Sequence, residues 1–317
     1  MEHRLKLDRI ARALELIDPV FLNTLQFRAE SLEAELGCRL IVKVETLNPI
    51  RSFKGRGASF FAAELEPSAT IVCASAGNFG QAIAYACRSR GARAIVYASV
   101  NANPLKIERM RALGAEVRLH GADFDAAKLE AKRFAADAGL PMVEDSLAPA
   151  TGEGAGTIGA ELLRWPEPID SLLVALGNGA LVTGVGRWVK AYAPTTQVIA
   201  VAAVGAPAMV ESWRSGQIVS YDYVDTIADG IGVRLPVPEA VSDMRGTVDD
   251  AVLVRDATIV EAMRLIHQHL GLVVEPSGAV GVAAILEDRA RYAGRLVATI
   301  LCGGNLTPQQ IREWLTS

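Results

Sequence analysis

Short apolar runs alternate along this chain with stretches in which apolar residues recur every three or four positions. Runs at 40–44, 70–74, 94–97, 116–119, 172–176, 198–203, 251–254 and 296–301 are for the most part rich in Val, Ile and Leu. Such runs read as strands buried on both faces by helices, and therefore as parallel strands. The punctuation between them is helical. Asn103-Pro104 opens a helix that Gly114 closes, Gly91 ends another, and Asp256 stands where it would cap a helix running to about His269. The alternation predicts an α/β fold of mostly parallel, twisted sheets covered by helices, with no internal repeat.

At 317 residues the chain is longer than one core usually serves, so two domains with a cleft between them are expected. A block of strands at 70–119 is followed by a loop rich in Pro, Gly and Ala at 141–156, which would return the chain to a larger domain. The composition, half hydrophobic with 28 glycines and 14 prolines, is that of an ordinary globular enzyme. A net charge of −4 and a pI near 5.7, with no basic stripe, exclude a nucleic-acid partner. The most apolar segments, 172–186 and 198–210, are broken by Gly, Asn or Pro and fall short of the roughly 20 apolar residues that span a bilayer, so no membrane role is expected. Residues 1–16 mix charge with apolar helical spacing, unlike a secretory signal. Cys38, Cys73, Cys87 and Cys302 lie far apart with no CxxC, which predicts neither a disulfide frame nor a zinc site and suits a reducing cytoplasm. His3, His120, His267 and His269 have no metal-ligand spacing.

Candidate chemistry begins with Lys54, between a turn at Asn48-Pro49 and a helical stretch at 58–65. A helix N-terminus carries partial positive charge and burial disfavours a cation, so a lysine there is expected to be partly neutral and able to form imines. The plain alternative is a surface lysine beside Arg51 and Arg56. Gly177-Asn178-Gly179-Ala180 follows a strand and precedes a helix starting near Leu181, a turn whose backbone amides and helix dipole suit a phosphate. A dinucleotide site would need a glycine in place of Val182 and an acid in 202–205; neither is present, nor is a Walker A lysine, which leaves a monophosphate or a ligand-free turn. Ser75-Ala76-Gly77-Asn78, at the end of the run 70–74, reads either as a helix cap or as a carboxylate-binding loop. Cys302 ends the last apolar run, where a cysteine is ordinarily a small hydrophobe.

Four segments in this order, Ser52-Phe53-Lys54-Gly55-Arg56-Gly57-Ala58, Ser75-Ala76-Gly77-Asn78-Phe79-Gly80-Gln81, Gly177-Asn178-Gly179-Ala180-Leu181 and Cys302-Gly303-Gly304-Asn305, resemble the motifs of fold-type II pyridoxal phosphate enzymes. That family includes threonine and serine dehydratases, serine racemase and cysteine synthase, and the resemblance covers essentially the whole chain. It implies that Lys54 forms the Schiff base with pyridoxal 5′-phosphate and that Phe53 packs on the pyridine ring. It also implies that Gly177, Asn178, Gly179, Ala180 and Leu181 hold the phosphate, and that Cys302 stands at the ring nitrogen as a neutral partner. Ser75, Ala76, Gly77 and Asn78 would hold the substrate carboxylate, with Asn78 also bonding the cofactor 3′-oxygen. Gly230, in Thr226-Ile227-Ala228-Asp229-Gly230, would add a backbone contact, and Glu275 would lie near the cofactor. Glu153-Gly154-Ala155-Gly156-Thr157 resembles a stretch between the domains and locally reads as a helix start. The implied architecture is a smaller domain at 47–146 and a larger one formed by 1–46 plus 147–317, with the cofactor in the cleft.

Two departures sharpen the expected activity. The turn 177–181 has Asn178 and Ala180 where the family usually has glycine. Ala76 replaces the serine that serves racemases as the acid/base on the second face, which favours elimination. The expectation is an ammonia-lyase that converts a β-hydroxy amino acid such as L-threonine or L-serine to a 2-oxo acid and ammonia. β-Replacement, racemisation and, from a different class, non-catalytic cofactor binding are the alternatives. No carboxylate occurs at 201–204, where metal-dependent members carry one, so no divalent metal is expected. The resemblance implies a dimer or tetramer. Arg51 and the stretch 221–234 are candidates to line the side-chain pocket, and they leave the charge of the substrate open.

Overall fold

A computed structural model describes residues 3–316; Met1, Glu2 and Ser317, which fall in the 1–46 and 147–317 portions of the expected larger domain, lie outside the described residues. Among the described residues nine strands form: β1 (Gln26–Arg28), β2 (Arg39–Val44), β3 (Thr70–Ala74), β4 (Arg93–Ala98), β5 (Glu116–Leu119), β6 (Ser171–Ala175), β7 (Gln197–Ala203), β8 (Asp250–Val254) and β9 (Leu296–Leu301). They build a six-stranded sheet in the order β1-β2-β9-β6-β7-β8 and a three-stranded sheet in the order β3-β4-β5. Every pairing is parallel except β1 with β2. All eight predicted strands are present, and the α/β expectation holds.

β1 was not expected. Its three residues are only half-buried and carry no apolar run; it exists because β2 offers a free edge, on which Gln26 pairs with Lys43 and Arg28 with Ile41. One large core surrounds the six-stranded sheet, including Leu173, Val174, Ile199 and Val297. A second lies on one face of the three-stranded sheet, where Ile71, Cys73 and Val96 meet Ile83 and Ala82 of the helix Asn78–Ser89.

The helices correct three expectations. The lysine helix begins at Lys54 itself and runs Lys54–Ala63. Only 141–148 is a connection, because a helix runs Pro149–Leu162, and Glu153-Gly154-Ala155-Gly156-Thr157 forms its middle rather than its start. Each interior glycine costs a helix about 1 kcal/mol relative to alanine, so propensity argues against this one. Packing overrides it. The helix is buried from Ala150 to Leu162, and its glycines let other backbones approach. A Cβ on Gly57 of the lysine helix would sit 2.5 Å from the Thr151 carbonyl oxygen, and one on Gly154 would sit 2.6 Å from the Gly57 Cα. On its other side, a methyl on Gly184 of the helix Ala180–Tyr192 would overlap the Gly152 carbonyl. This glycine-faced helix therefore sets the spacing between the helix that carries Lys54 and the helix that begins at the 177–180 turn.

The third correction concerns Asp256. It opens the helix Asp256–Leu270 as expected, but it makes no cap hydrogen bond. Its carboxylate accepts instead from Thr226 Oγ1 at 2.6 Å and from the Ile227 amide at 2.8 Å, so it anchors the loop that leads to Gly230.

Candidate active site

The turn before Lys54 is folded by one side chain. Asn48 is buried, donates to the carbonyls of Glu45 and Ser52, and accepts from the amides of Ile50 and Ser52. The turn is then pinned to the far end of the chain. The Phe53 amide donates to the Cys302 carbonyl at 3.0 Å and the Gly304 amide to the Arg51 carbonyl at 3.0 Å, while Ser52 and Gly303 form an antiparallel bridge. Two turns after Asn48, Arg56 anchors the lysine helix in the interior. Its fully buried guanidinium donates to both oxygens of Glu45 and both of Glu161, and to the hydroxyls of Thr24 and Thr157. Lys43 pairs with Glu161 at 2.6 Å, so the network holds two cations and two carboxylates. Burial alone would raise the Glu161 carboxyl; the hydrogen bonds and charges of Arg56 and Lys43 outweigh it and hold the group at about 2.

Lys54 projects from this anchored helix with its side chain 18% exposed. Its Nζ lies 4.7 Å from the centre of the Phe53 ring and forms an ion pair with Asp145 Oδ2 at 2.5 Å. Phe53 is itself buried in the core of the larger sheet.

A second cluster joins the Asn78 loop to the 302–305 turn. Asn78 Nδ2 donates to Glu275 Oε1 at 2.8 Å, and Asn78 Oδ1 accepts from Asn305 Nδ2 at 2.8 Å. Glu275 Oε1 also accepts from Ser277 Oγ, and Oε2 from the Asn305 amide. Burial, reinforced by the charge of Asp229, pushes the Glu275 carboxyl above its ordinary range. Cys302 Sγ points at the Ser277 carbonyl at 3.4 Å, and burial drives its thiol far up, so Cys302 stays neutral. Ser75 Oγ accepts from the amides of Gly77 at 3.2 Å and Gly80 at 2.9 Å, tying its turn to the first turn of the following helix, whose N-cap is Gly77. Ala76 and Gly77 are half-buried.

The 177–180 turn requires its glycines. Gly179 has φ +101°, a conformation that disfavours side chains, and leads directly into the helix Ala180–Tyr192. A Cβ on Gly177 would stand 3.0 Å from the Gly230 carbonyl oxygen and 3.3 Å from the Ile231 Cα, so the loop held by Asp256 lies over this turn. Ser146, itself at φ +66°, accepts the Ala180 amide on its Oγ at 3.1 Å. Asp145 and Ser146 are thus neighbours in sequence that touch Lys54 and the helix start respectively, and sequence reasoning missed both. They sit in a polar connection, and only the packing of the glycine-faced helix brings them to the two motifs.

The donor set fits pyridoxal phosphate. A lysine amine stands beside an aromatic ring, a glycine-lined turn opens a helix whose dipole favours phosphate, and an amide, Asn78, lies in the same hydrogen-bonded cluster as the neutral end at Cys302. A cavity of about 660 Å³ is lined by Asp145, the ion-pair partner of Lys54, and by Asn178 of the 177–180 turn, together with Tyr223 and Arg234. Arg51 does not reach it; with Gln81 and Arg109 it lines a separate hollow of about 250 Å³.

The model of the family described as pyridoxal-phosphate dependent enzyme matches residues 17–303. The chain is 32% identical over 308 residues to the L-threonine ammonia-lyase of Thermotoga maritima, covering 96% of this chain and 77% of that one. It is 31% identical over 286 residues to the biosynthetic L-threonine dehydratase of Pasteurella multocida, where it spans 89% of this chain but 56% of the longer relative. Among solved structures, maize serine racemase superposes with a TM-score of 0.90 at 30% identity, over 97% of this chain and 96% of that one. With the family match running through all four motifs except the last two residues of the fourth, the chain belongs to the pyridoxal-phosphate dependent enzymes.

Proposed function

We propose that this protein is an ammonia-lyase that converts a β-hydroxy amino acid, of the class of L-threonine or L-serine, to a 2-oxo acid and ammonia. The observation that carries the reading is the convergence of the Lys54 turn, the Asn78 loop and the 302–305 turn into one hydrogen-bonded cluster, in a chain whose relatives include a threonine ammonia-lyase and a threonine dehydratase.

When bound, pyridoxal phosphate supplies an electron-withdrawing ring that acidifies the Cα–H of an amino acid joined to it. Lys54 Nζ would be the attachment point for the cofactor and, when free, the base that takes the Cα proton. The turn 177–181 (Gly177, Asn178, Gly179, Ala180, Leu181) holds the phosphate, and the loop Ser75-Ala76-Gly77 holds the α-carboxylate, with Gly230 closing over it. Asn78, oriented by Asn305 and Glu275, donates its remaining amide proton to the ring oxygen. Phe53 supports the ring beside Lys54. Cys302, a neutral thiol, leaves the ring nitrogen without a carboxylate partner, which suits loss of the β-hydroxyl over a long-lived carbanion. Ala76 offers no acid on the second face, so elimination is favoured over the racemisation suggested by the maize structure. The reading includes a smaller unit at 47–146 and a larger one from 1–46 plus 147–317. It also includes a homo-oligomer in a reducing cytoplasm, supported by the resemblance and by four unpaired, buried cysteines.

The test uses purified protein loaded with the cofactor. Borohydride reduction followed by peptide mass spectrometry should recover the cofactor on Lys54, and Lys54→Ala should lose both the visible absorbance and ammonia release from L-threonine and L-serine. Recovery of the label on another residue refutes the assignment. Cysteine formation from sulfide and an activated serine, in preference to keto acid, would instead identify β-replacement.

A further inference from the structure

The cavity that Asp145 and Asn178 line has a volume of about 660 Å³, within the roughly 300–1,000 Å³ of pockets that enclose ligands of drug size. Its lining is acidic. Asp123, Asp125, Glu144, Asp145 and Asp222 contribute five carboxylates against three cations, Lys128, Lys132 and Arg234. The cations are spoken for. Glu144 pairs with both lysines, at 2.7 and 2.9 Å, and Arg234 pairs with Asp125 and donates to the Asp222 carbonyl. Arg234 is therefore not free to receive an acidic side chain.

Asp145 is the carboxylate at the reactive end. Oδ2 is paired with Lys54, and Oδ1 is buried with no hydrogen-bond partner. In the cofactor-loaded protein Lys54 Nζ would be directed to the cofactor and, once released by a substrate amine, to the substrate Cα–H, so in neither state is it held on Asp145, and a phosphate at the 177–181 turn would add negative charge beside Asn178. A carboxylate left in a partly desolvated cavity with net negative lining favours a cation.

We propose that Asp145 is a specificity-determining residue that selects amino acids whose side chain carries a positive charge, receiving that charge on the carboxylate that Lys54 vacates. The inference rests on the ammonia-lyase reading and names its substrate class: a β-hydroxy amino acid with an ammonium group further along the side chain.

The experiment titrates the cofactor-loaded protein with three amino acids that have no β-leaving group, following the cofactor absorbance: L-2,4-diaminobutyrate (cationic), L-norvaline (neutral) and L-glutamate (anionic). Wild type should bind the cationic analogue at least about tenfold more tightly than the neutral one, and the anionic one more weakly still, with the preference shrinking as salt rises. In Asp145→Asn the cationic-to-neutral ratio of Kd values should collapse to within about threefold, whatever happens to absolute affinity, and Asp145→Glu should restore part of it. Equal or tighter binding of the neutral or anionic analogue by wild type overturns the proposal without recourse to any variant, and so does an unchanged ratio in Asp145→Asn. If no amino acid perturbs the absorbance and L-threonine releases no ammonia, the ammonia-lyase reading fails and this inference falls with it; ammonia release from L-threonine without cationic preference sinks the inference alone.

Discussion

Arg56→Met tests whether the buried ion network holds the Lys54 helix in place. Arg56 is fully buried and neutralises Glu45 and Glu161, leaving Lys43 as the other cation of the cluster. Replacing the guanidinium with a thioether of similar length keeps much of the volume but leaves two buried carboxylates facing one cation. Removal of one partner from a buried pair costs about 3–5 kcal/mol, because the remaining charge is uncompensated. For a chain of this size that corresponds to a fall in Tm of about 5–7 °C.

Glu161 provides an independent check through pH. Its carboxyl is held at about 2, against an ordinary value of 4.5. A depressed value in the folded state means that the stabilisation, about 3 kcal/mol, is present above about pH 4.5 and is lost as the pH falls through about 2. Arg56→Met should flatten that dependence, because the variant has already lost most of it at neutral pH. The double variant Arg56→Met/Glu161→Met removes one charge of each sign and should be more stable than the sum of the single losses by at least about 1 kcal/mol. The assay is urea denaturation of cofactor-free protein, read by circular dichroism and tryptophan fluorescence at neutral and acid pH, so that cofactor affinity does not enter the comparison. A loss below about 1 kcal/mol for Arg56→Met, or strict additivity in the double variant, would refute the reasoning.

Gly154→Ala places a methyl 2.6 Å from the Gly57 Cα and should push the lysine helix away, costing about 1–3 kcal/mol and lowering kcat more than KM; an unchanged melting curve would contradict the packing argument. Asp256→Ala frees the 226–227 backbone and should raise KM for amino acids with a smaller effect on cofactor affinity, as measured by steady-state kinetics and fluorescence titration. Glu275→Ala removes the acceptor that orients Asn78 and should weaken cofactor binding about tenfold or more, read by equilibrium dialysis. Chelator-treated enzyme should gain no activity from added magnesium, given the run Val201-Ala202-Ala203-Val204; a magnesium-dependent rise would overturn that expectation.

The periodicity of the chain by itself determined the α/β class and all eight long strands, because strands covered on both faces must be apolar throughout. The lysine turn, the 177–180 turn and the end of β9 were also legible, since each needs particular small or polar residues at a strand or helix end. What sequence could not determine was whatever depends on residues distant in the chain. β1 forms only because β2 presents an edge, and the helix Pro149–Leu162 forms against its own propensity because glycine faces let two other helices pack closely. Asp256 looked like a cap and became a loop anchor once Thr226 folded beside it. Asp145 and Ser146 carry no local signature at all. Their meeting with Lys54 and Ala180 is a product of tertiary packing, as is the charge of the cavity, which depends on which carboxylate each cation pairs with.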